Sequence, residues 1–439
     1  MSRSALVCVA CGWQPADDAP YPFACARRGD GDGEHLLEHR LASDATLDHD
    51  DSTNPFVRWR EALYAWHAAR ARGWSDADFV SLVQRLDEAI ARVDGHGFAI
   101  TPYGSAPAMG QRLGLDLWVK DETHNVAGSH KARHLMGLLL YLAVVEGGSA
   151  DKRSTSSMLA PLAIASCGNA ALAAAVLARA ASRALQIYVP PDAEGAVLDR
   201  LAELGATVVA CPREIGEQGD PCVRHFRHAL TQGALPFCCQ GNENGLTIDG
   251  GQTLVLEMLR PDAPPLDHLV VQVGGGALAS ACVQAYARAQ AHGLVRQVPR
   301  VHVVQTEGAA PLARAWTRVQ ERMAQAAESA DAALAYATAH RSQFMWPWEE
   351  PPHSVAGGIL DDETYDWLAI LRGVAASGGS TVVVDEDTLR QANRLVLETT
   401  AIQPSHTGSA GLAGLLQLQR QGLVAPGARV GVLLTGVQR

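Results

Sequence analysis

The sequence predicts an α/β fold with open parallel β-sheets, and three features of the chain lead to this class. Its 439 residues are enough for two to three domains with a large core. From about residue 115 onward, short apolar runs typical of strands alternate with helical segments of about 10 to 15 residues. Glycine-rich or small-residue turns follow several of these runs, and ligands of parallel α/β sheets collect at such turns.

The composition is that of an ordinary globular protein and excludes several classes of partner. Hydrophobic residues make up 47% of the chain and charged residues 19%. A net charge of -11 offers no general attraction for nucleic acid or for an anionic membrane surface. The apolar runs are too short to span a bilayer, and residues 1–10 lack the apolar region of a secretory signal. We therefore expect a cytoplasmic protein whose nine cysteines are thiols or metal ligands.

Residues 1–45 differ from the rest of the chain and have the spacing of a metal site. Cys8 and Cys11 stand two residues apart in a Cys-Val-Ala-Cys-Gly turn, so both thiolates can face one zinc ion. Cys25 would be a third ligand, and either His35 or His39 could complete a tetrahedron. A second Cys-x-x-Cys pair is missing, so a segment with free thiols and no metal is the alternative. A bound zinc would be structural, because four protein ligands leave no open position.

The individual elements follow from hydrophobic periodicity and from helix signals. Two helices come first, over residues 58–72 and 75–93, and Ser75 or Asp76 caps the second. Later helices are predicted over residues 134–145, 170–181, 196–204, 278–292, 324–339 and 386–400. Strands are predicted over residues 115–119, 156–165, 185–190, 206–211, 266–273, 301–305, 381–385 and 430–435. Residues 213–220 are predicted to be a loop.

Lys131 lies in a turn at residues 125–133, between a predicted strand and a predicted helix. Only three of the 36 basic residues are lysines, at positions 120, 131 and 152, so arginine is used almost wherever a bare charge suffices. A lysine is needed where the amine must lose its proton, as in Schiff-base chemistry, because a guanidinium stays charged. The alternative is a surface lysine at the start of a helix.

A second turn of small residues joins an apolar strand to an alanine-rich helix. It consists of Ser166, Cys167, Gly168 and Asn169. Small residues at a helix N-terminus leave backbone N–H groups free to bind an anion such as a carboxylate. The Asn169 side chain can both donate and accept hydrogen bonds. An ordinary helix cap would have the same pattern.

Two further turns follow buried strands of the predicted sheet. One consists of Gly274, Gly275, Gly276, Ala277 and Leu278. Consecutive glycines let the backbone approach a phosphate, and the following helix supplies its positive end. The spacing is not that of a dinucleotide-binding motif, and a flexible tight turn is the alternative. The other turn begins at Thr435, whose hydroxyl could either meet a ligand or cap the strand end.

The four turns together require a ligand with an amine-reactive carbonyl, a phosphate and a ring flanked by polar groups. Pyridoxal phosphate meets these requirements. At this point the sequence resembles the fold-type II pyridoxal-phosphate enzymes, most closely their threonine synthase-like branch, over nearly the whole chain. The resemblance implies that Lys131 is the Schiff-base lysine, that Asn169 contacts the cofactor 3-hydroxyl, and that residues 166–169 hold the substrate carboxylate. It also implies that residues 274–278 bind the cofactor phosphate and that Thr435 faces the pyridine nitrogen.

The resemblance further implies the organisation of the chain. Residues 1–45 would be a small ribbon-like segment that contains cysteines. Residues 46–135 and 245–439 would form a large cofactor-binding domain, and residues 136–244 a smaller α/β domain that carries the turn with Asn169. Two such parallel-sheet domains are the fold expected of these enzymes, and a homodimer is their expected assembly.

Three departures from the family pattern bear on the site. Ala127 stands where the family usually has threonine, which counts against a phosphorylated substrate. His130 precedes the lysine as in the tryptophan synthase β subunit, where such a histidine contacts the cofactor phosphate; a packed histidine is the alternative. Gln403 replaces the common glutamate of a Glu-Pro-Ser segment that precedes an alanine- and glycine-rich helix.

The activity implied by the resemblance is that of a lyase acting on a small amino acid. Elimination or replacement at Cβ, as in serine or threonine dehydratases, would proceed through an aldimine on Lys131 and an aminoacrylate, with Lys131 as general base. A neutral hydroxyl at Thr435 would not protonate the ring nitrogen, which favours elimination over transamination. One alternative is a threonine synthase acting on O-phosphohomoserine. Another, from a different class, is a homologue that binds the cofactor without turnover.

Overall fold

The computed structural model describes residues 4–16, 18–42, 50–147, 159–213, 219–260 and 262–439. Its strands are β1 (Ser4–Cys8), β2 (Leu37–Leu41), β3 (Tyr103–Ser105), β4 (Asp116–Asp121), β5 (Leu162–Ala165), β6 (Leu185–Val189), β7 (Thr207–Ala210), β8 (Leu235–Pro236), β9 (His268–Gln272), β10 (Arg300–Thr306), β11 (Ser380–Val384) and β12 (Arg429–Leu434). Its helices are α1 (Pro55–Arg58), α2 (Tyr64–Ala71), α3 (Asp76–Asp94), α4 (Pro107–Leu113), α5 (Lys131–Glu146), α6 (Asn169–Ala180), α7 (Gly195–Glu203), α8 (Pro221–Thr231), α9 (Thr247–Gly251), α10 (Thr253–Met258), α11 (Ala277–Ala291), α12 (Pro311–Ala326), α13 (Ala330–Ala339), α14 (Trp367–Ser377), α15 (Glu386–Thr399) and α16 (His406–Arg420).

A six-stranded sheet forms the larger half of the molecule. Its order is β11-β10-β9-β12-β4-β3, and all neighbours are parallel except the edge pair of β3 with β4. β9 is buried along its whole length, as expected for a parallel strand covered on both faces. Leu434 at the end of β12 pairs with Asp121 at the end of β4, and β9 adjoins β12 on its other side. The turns that follow β4, β9 and β12 therefore meet at one edge of the sheet, and the predicted α/β class is confirmed.

A second sheet has the order β7-β6-β5-β8, and all its neighbours are parallel. Its strands fall within residues 136–244, which were predicted as the smaller domain. Its core also takes in side chains of α2 and α3, such as Ala69, Phe79 and Val83, together with most of α5. The first helices of the chain thus share their core with the four-stranded sheet, and the predicted domain boundaries stay a prediction.

The N-terminal hairpin of β1 and β2 is tied to the body of the protein by buried polar side chains. Ser4 Oγ lies 2.8 Å from His39 Nε2, and His39 Nδ1 lies 2.7 Å from Asp249 Oδ1. All three residues are buried. The chain of contacts therefore anchors β1 and β2 on α9 and does not expose a nucleophile to solvent.

Several predicted elements differ from the structure for local reasons. The helix predicted over residues 58–72 is divided: Asn54 caps the short α1, a single 3₁₀ turn follows, and α2 begins at Tyr64. The helix predicted over residues 324–339 is broken by Ala327 at φ 50°, after which Ser329 caps α13. The strand predicted over residues 156–165 begins at Leu162; residues 156–158 of that prediction, and 214–218 of the predicted loop, lie outside the described residues. Sequence patterns also missed the strands β3 and β8, the helices α4, α8, α9, α10 and α14, and most of α12.

Among the described helices, none combines the length and the apolar character needed to cross a bilayer.

Candidate active site

Lys131 is the first residue of α5 and follows the turn that leaves β4. That turn has an unusual backbone: Ala127 has φ 53°, and Gly128 has φ 63°. The Asp94 carboxylate accepts a hydrogen bond from the Ala127 N–H at 2.8 Å, which helps to hold this residue in the left-handed region. A Cβ on Gly128 would lie 2.7 Å from Val437 Cγ1, so glycine is required there by both conformation and space.

The turn with Lys131 is joined to the end of β12. His130 N donates to the Thr435 carbonyl at 3.1 Å, and Ser129 pairs with Gly436 in an antiparallel bridge. Two residues that sequence analysis placed in one site, Lys131 and Thr435, are thereby brought together across 304 positions of the chain.

Two buried histidines flank Lys131. His130 Nδ1 lies 3.1 Å from the Thr435 carbonyl, and His134 Nδ1 lies 2.7 Å from the Thr247 carbonyl. Because a carbonyl only accepts, each Nδ1 carries the proton. Each Nε2 is buried and has no partner within the part of the chain that the structure describes. Burial, followed by the charge of Lys131, lowers the pKa of both rings, that of His134 to about 3. A neutral His130 offers a lone pair at Nε2, so the predicted contact with a phosphate would require its protonation.

Asn169 lies at the first position of α6, after the turn that leaves β5. None of the described side chains caps this helix, so its first N–H groups stay available to an anion. Cys167 in the same turn is exposed. A Cβ on Gly436 would lie 2.7 Å from Asn169 Nδ2, so this turn meets the end of β12 as well.

The glycine turn packs against a segment at residues 359–370 that sequence analysis did not place. A Cβ on Gly274 would lie 2.4 Å from Asp361 Oδ2, and one on Gly275 would lie 2.8 Å from the Tyr365 ring. Gly276 has φ 103°, and Ala277 and Leu278 begin α11. A side chain at any of these three positions would collide with residues 359–370 or strain the backbone, which explains why three glycines follow one another.

Asp361 is the main residue of the site that sequence analysis missed. Its carboxylate lies against the glycine turn, since a Cβ on Gly275 would lie 3.3 Å from Asp361 Oδ1. Burial raises its pKa to about 6, and burial likewise raises the pKa of the neighbouring Asp366 to about 7. In the sequence, Asp361 is one of two adjacent aspartates in a polar segment, and nothing in that segment distinguishes it from a surface residue.

The Thr435 hydroxyl is held by Gln272 on the adjacent strand β9. The shortest contact of Gln272 Nε2 is with Thr435 Oγ1, at 2.8 Å. The same nitrogen also approaches the carbonyls of Gly408 at 3.0 Å, Thr407 at 3.1 Å and Leu433 at 3.3 Å. Since the hydroxyl oxygen accepts this bond, its own proton remains free to be donated. A glutamine in the otherwise apolar run of residues 269–273, at the end of β9, was the signal that could have identified this residue.

The described residues fit the expected cofactor. Ser129 Oγ and His130 Nε2 are buried polar atoms without partners beside Lys131. The Asp361 carboxylate lies against the glycine turn at the start of α11, so this turn accommodates an anionic oxygen. The site thus contains a lysine amine, two helix N-termini without a side-chain cap among the described residues, and a hydroxyl donor, which are the groups that pyridoxal phosphate needs.

A second cluster lies in the N-terminal hairpin, apart from the site around Lys131. Cys8, Cys11, Cys25 and His35 have ligand atoms that all lie within 4.8 Å of one another. The separations are 3.5 Å for Cys8 Sγ to His35 Nδ1, 3.7 Å for Cys11 Sγ to Cys25 Sγ and 3.6 Å for Cys25 Sγ to His35 Nδ1. Ligands about 2.3 Å from one tetrahedral zinc ion lie about 3.7 Å apart. Of the two histidines considered from sequence, His35 joins the cysteines, because His39 is engaged by Asp249.

Comparison with known proteins identifies related sequences and folds. The family described as "Pyridoxal-phosphate dependent enzyme" matches residues 96–436. A threonine synthase of Mycobacterium leprae (strain TN) is 23% identical over 341 residues, which cover 76% of this chain and 80% of that protein. The L-threonine dehydratase of Haemophilus influenzae is 25% identical over 206 residues, or 47% of this chain and 36% of that protein.

Solved structures agree on the fold. The processed form of threonine deaminase isoform 2 from Solanum lycopersicum has a TM-score of 0.58 at 14% identity and covers 83% of this chain and 86% of that chain. Maize serine racemase has a TM-score of 0.56 at 19% identity, and the match covers 81% of this chain and 92% of that chain.

Proposed function

The chain belongs to the family of pyridoxal-phosphate dependent enzymes, and from this premise we propose that it is a lyase that eliminates or replaces a group at Cβ of a small amino acid. The hydrogen bond from Gln272 Nε2 to Thr435 Oγ1 carries the proposal. Because Thr435 Oγ1 accepts this bond, its own proton can be donated to the ring nitrogen of the cofactor. A neutral hydroxyl donates such a hydrogen bond without transferring the proton to the nitrogen. Full protonation would favour transamination, so a neutral donor supports elimination.

Each of the four turns would have a separate role in binding or catalysis. Pyridoxal phosphate, when bound, supplies an electron sink for the bond that is broken at Cα. The Lys131 amine would hold the cofactor and, once released, take the Cα proton as general base. The uncapped start of α6, with Ser166, Cys167, Gly168 and Asn169, would hold the substrate carboxylate. The glycine turn and the start of α11 would hold the phosphate.

A threonine synthase acting on O-phosphohomoserine is the second candidate, because threonine synthases are among the relatives that share most of this chain. Two residues weigh against it. Ala127 lacks the hydroxyl of the family threonine. The Asp361 carboxylate lies beside the glycine turn, where it would repel a second phosphate when ionised.

The experiment compares purified wild type with Lys131→Ala and with Lys131→Arg, which keeps a positive charge but forms no Schiff base. We expect a yellow wild type whose borohydride-reduced adduct maps to Lys131, and two variants without that adduct. Release of ammonia and a keto acid from serine or threonine supports the lyase, and phosphate release from O-phosphohomoserine supports the synthase. Racemised substrate without ammonia would contradict both. A yellow wild type that turns over no amino acid would indicate a binding protein without turnover, and a colourless one would end the enzyme proposal.

We also propose a structural zinc ion at Cys8, Cys11, Cys25 and His35, supported by their separations. The expected result is one zinc per chain by elemental analysis, lost in Cys25→Ser and retained in Cys282→Ser, a buried thiol elsewhere in the fold. Metal-free wild type after purification in zinc-containing buffer would refute it. A homodimer and a cytoplasmic location remain expectations. Analytical ultracentrifugation of the purified protein tests whether it is a homodimer.

A further inference from the structure

We infer that Arg439 is a positioning residue that fixes the orientation of the Asn169 amide toward the cofactor. Its guanidinium bridges two of the turns that form the site. Nη1 donates to Asn169 Oδ1, and Nη2 donates to the Ala127 carbonyl at 2.6 Å. The inference rests on the proposed function, in which Asn169 faces the ring oxygen of pyridoxal phosphate.

The chemistry of arginine determines which amide atom faces which way. A guanidinium has five donors and no acceptor, so the atom of Asn169 that faces it must be the oxygen. Nδ2 is therefore directed away from Arg439, and it lies 2.7 Å from the position of a Cβ on Gly436. Among the described residues Nδ2 has no hydrogen-bond acceptor, so its protons are available to a ligand.

Arg439 is an exposed residue, and its guanidinium is oriented by its contacts with the two turns. The carboxylates of Asp94 and Glu194 favour its charge. Asp94 also binds the N–H of Ala127, whose carbonyl accepts from Arg439, so both sides of this residue are fixed. Arg439 thus links the turn that carries Lys131 to the turn that carries Asn169.

A fixed Nδ2 donor has a defined effect on the bound cofactor. A donor stabilises an anionic ring oxygen over a protonated hydroxyl, since only the former needs a proton from its neighbour. Without Arg439 the amide is free to turn, and its oxygen would then favour the protonated hydroxyl. The ionisation of the ring, which sets the absorption spectrum, is the quantity that Arg439 should control.

The test uses the full chain loaded with pyridoxal phosphate and four variants. Arg439→Met removes the donors, Arg439→Lys keeps a donor-only cation, Arg439→Gln offers both a donor and an acceptor, and Gln438→Ala is the neighbouring control. The readouts are the ratio of the long-wavelength to the short-wavelength absorption band across pH, the cofactor dissociation constant and the melting temperature.

We expect Arg439→Met to shift the band ratio toward the short-wavelength form and to weaken cofactor binding about fivefold, the effect of one hydrogen bond. Arg439→Lys should keep the wild-type ratio, and Arg439→Gln should be intermediate. A purely structural role would lower the melting temperature and leave the ratio unchanged, which would overturn the inference. If Arg439→Met does not fold, the comparison of the lysine and glutamine variants decides. Wild type that binds no cofactor would refute the proposed function, and this inference with it.

Discussion

Neutralising Glu257 should destabilise the protein strongly, because this carboxylate completes a buried, charge-balanced network under the start of α5. The network contains two cations, Lys120 and Arg133, and two anions, Glu122 and Glu257, whose side chains are 0–1% exposed. Glu257 accepts from Lys120 Nζ, from Arg133 Nη1 at 2.5 Å and from the Thr101 N–H at 3.0 Å. Replacing Glu257 with glutamine leaves an uncompensated positive charge out of reach of water.

The magnitude follows from this burial. Burial by itself would raise the pKa of Glu122, but the charges of Arg133 and Lys120 outweigh burial and lower this pKa to about 2. The two cations therefore act strongly on Glu122, the anion that remains when Glu257 is neutralised. Glu122 already binds Arg133 through both carboxylate oxygens, at 2.8 Å and 2.9 Å, so it cannot compensate a second cation. Breaking a buried ion pair on one side costs about 3–5 kcal/mol. Against a total stability of about 5–15 kcal/mol, that is a large fraction.

Urea unfolding of the apo protein, followed by circular dichroism and tryptophan fluorescence, measures the loss in the free energy of unfolding. The matched control is Glu398→Gln, whose carboxylate pairs with Arg112 at 2.6 Å but is 57% exposed. The control should change stability by no more than about 1 kcal/mol. Because Arg133 lies two residues from Lys131, we also expect Glu257→Gln to weaken cofactor binding. If Glu257→Gln behaves like the control, the network does not support α5 and the reasoning is wrong.

Three smaller predictions concern the cofactor site. Gly275→Ala should cost about 1–3 kcal/mol and weaken cofactor binding, because the added methyl meets the Tyr365 ring at 2.8 Å; Gly357→Ala, with nothing within 4 Å, is the thermal-denaturation control. Asp361 has a pKa raised by burial to about 6, so its charge appears above pH 6 and should repel the cofactor phosphate there. The cofactor dissociation constant of wild type should therefore rise relative to that of Asp361→Asn as pH increases through 6, and a constant ratio would contradict this. The same raised pKa means that ionised Asp361 destabilises the fold, so wild type should lose stability relative to Asp361→Asn as the pH rises from 3.8 to about 6 and should show no further relative loss at higher pH, as read from melting temperatures.

Local patterns predicted a large part of this protein. The alternation of strands and helices gave the α/β class, and most of the predicted strands lie within a few residues of those observed. The four turns around Lys131, Asn169, the glycines and Thr435 were identified because each motif occupies a few consecutive residues. The cysteine spacing likewise pointed to the N-terminal cluster.

What sequence could not give were the contacts between those motifs. Nothing in the order of residues chose His35 over His39, and only the pairing of His39 with Asp249 made the choice. Asp361, Gln272 and Arg439 act on residues that are 86, 163 and 270 positions away along the chain. A turn is set by the backbone preferences of adjacent residues, which sequence displays directly. A contact between distant residues depends on the path of the whole chain, and only the packed sheets determine that path.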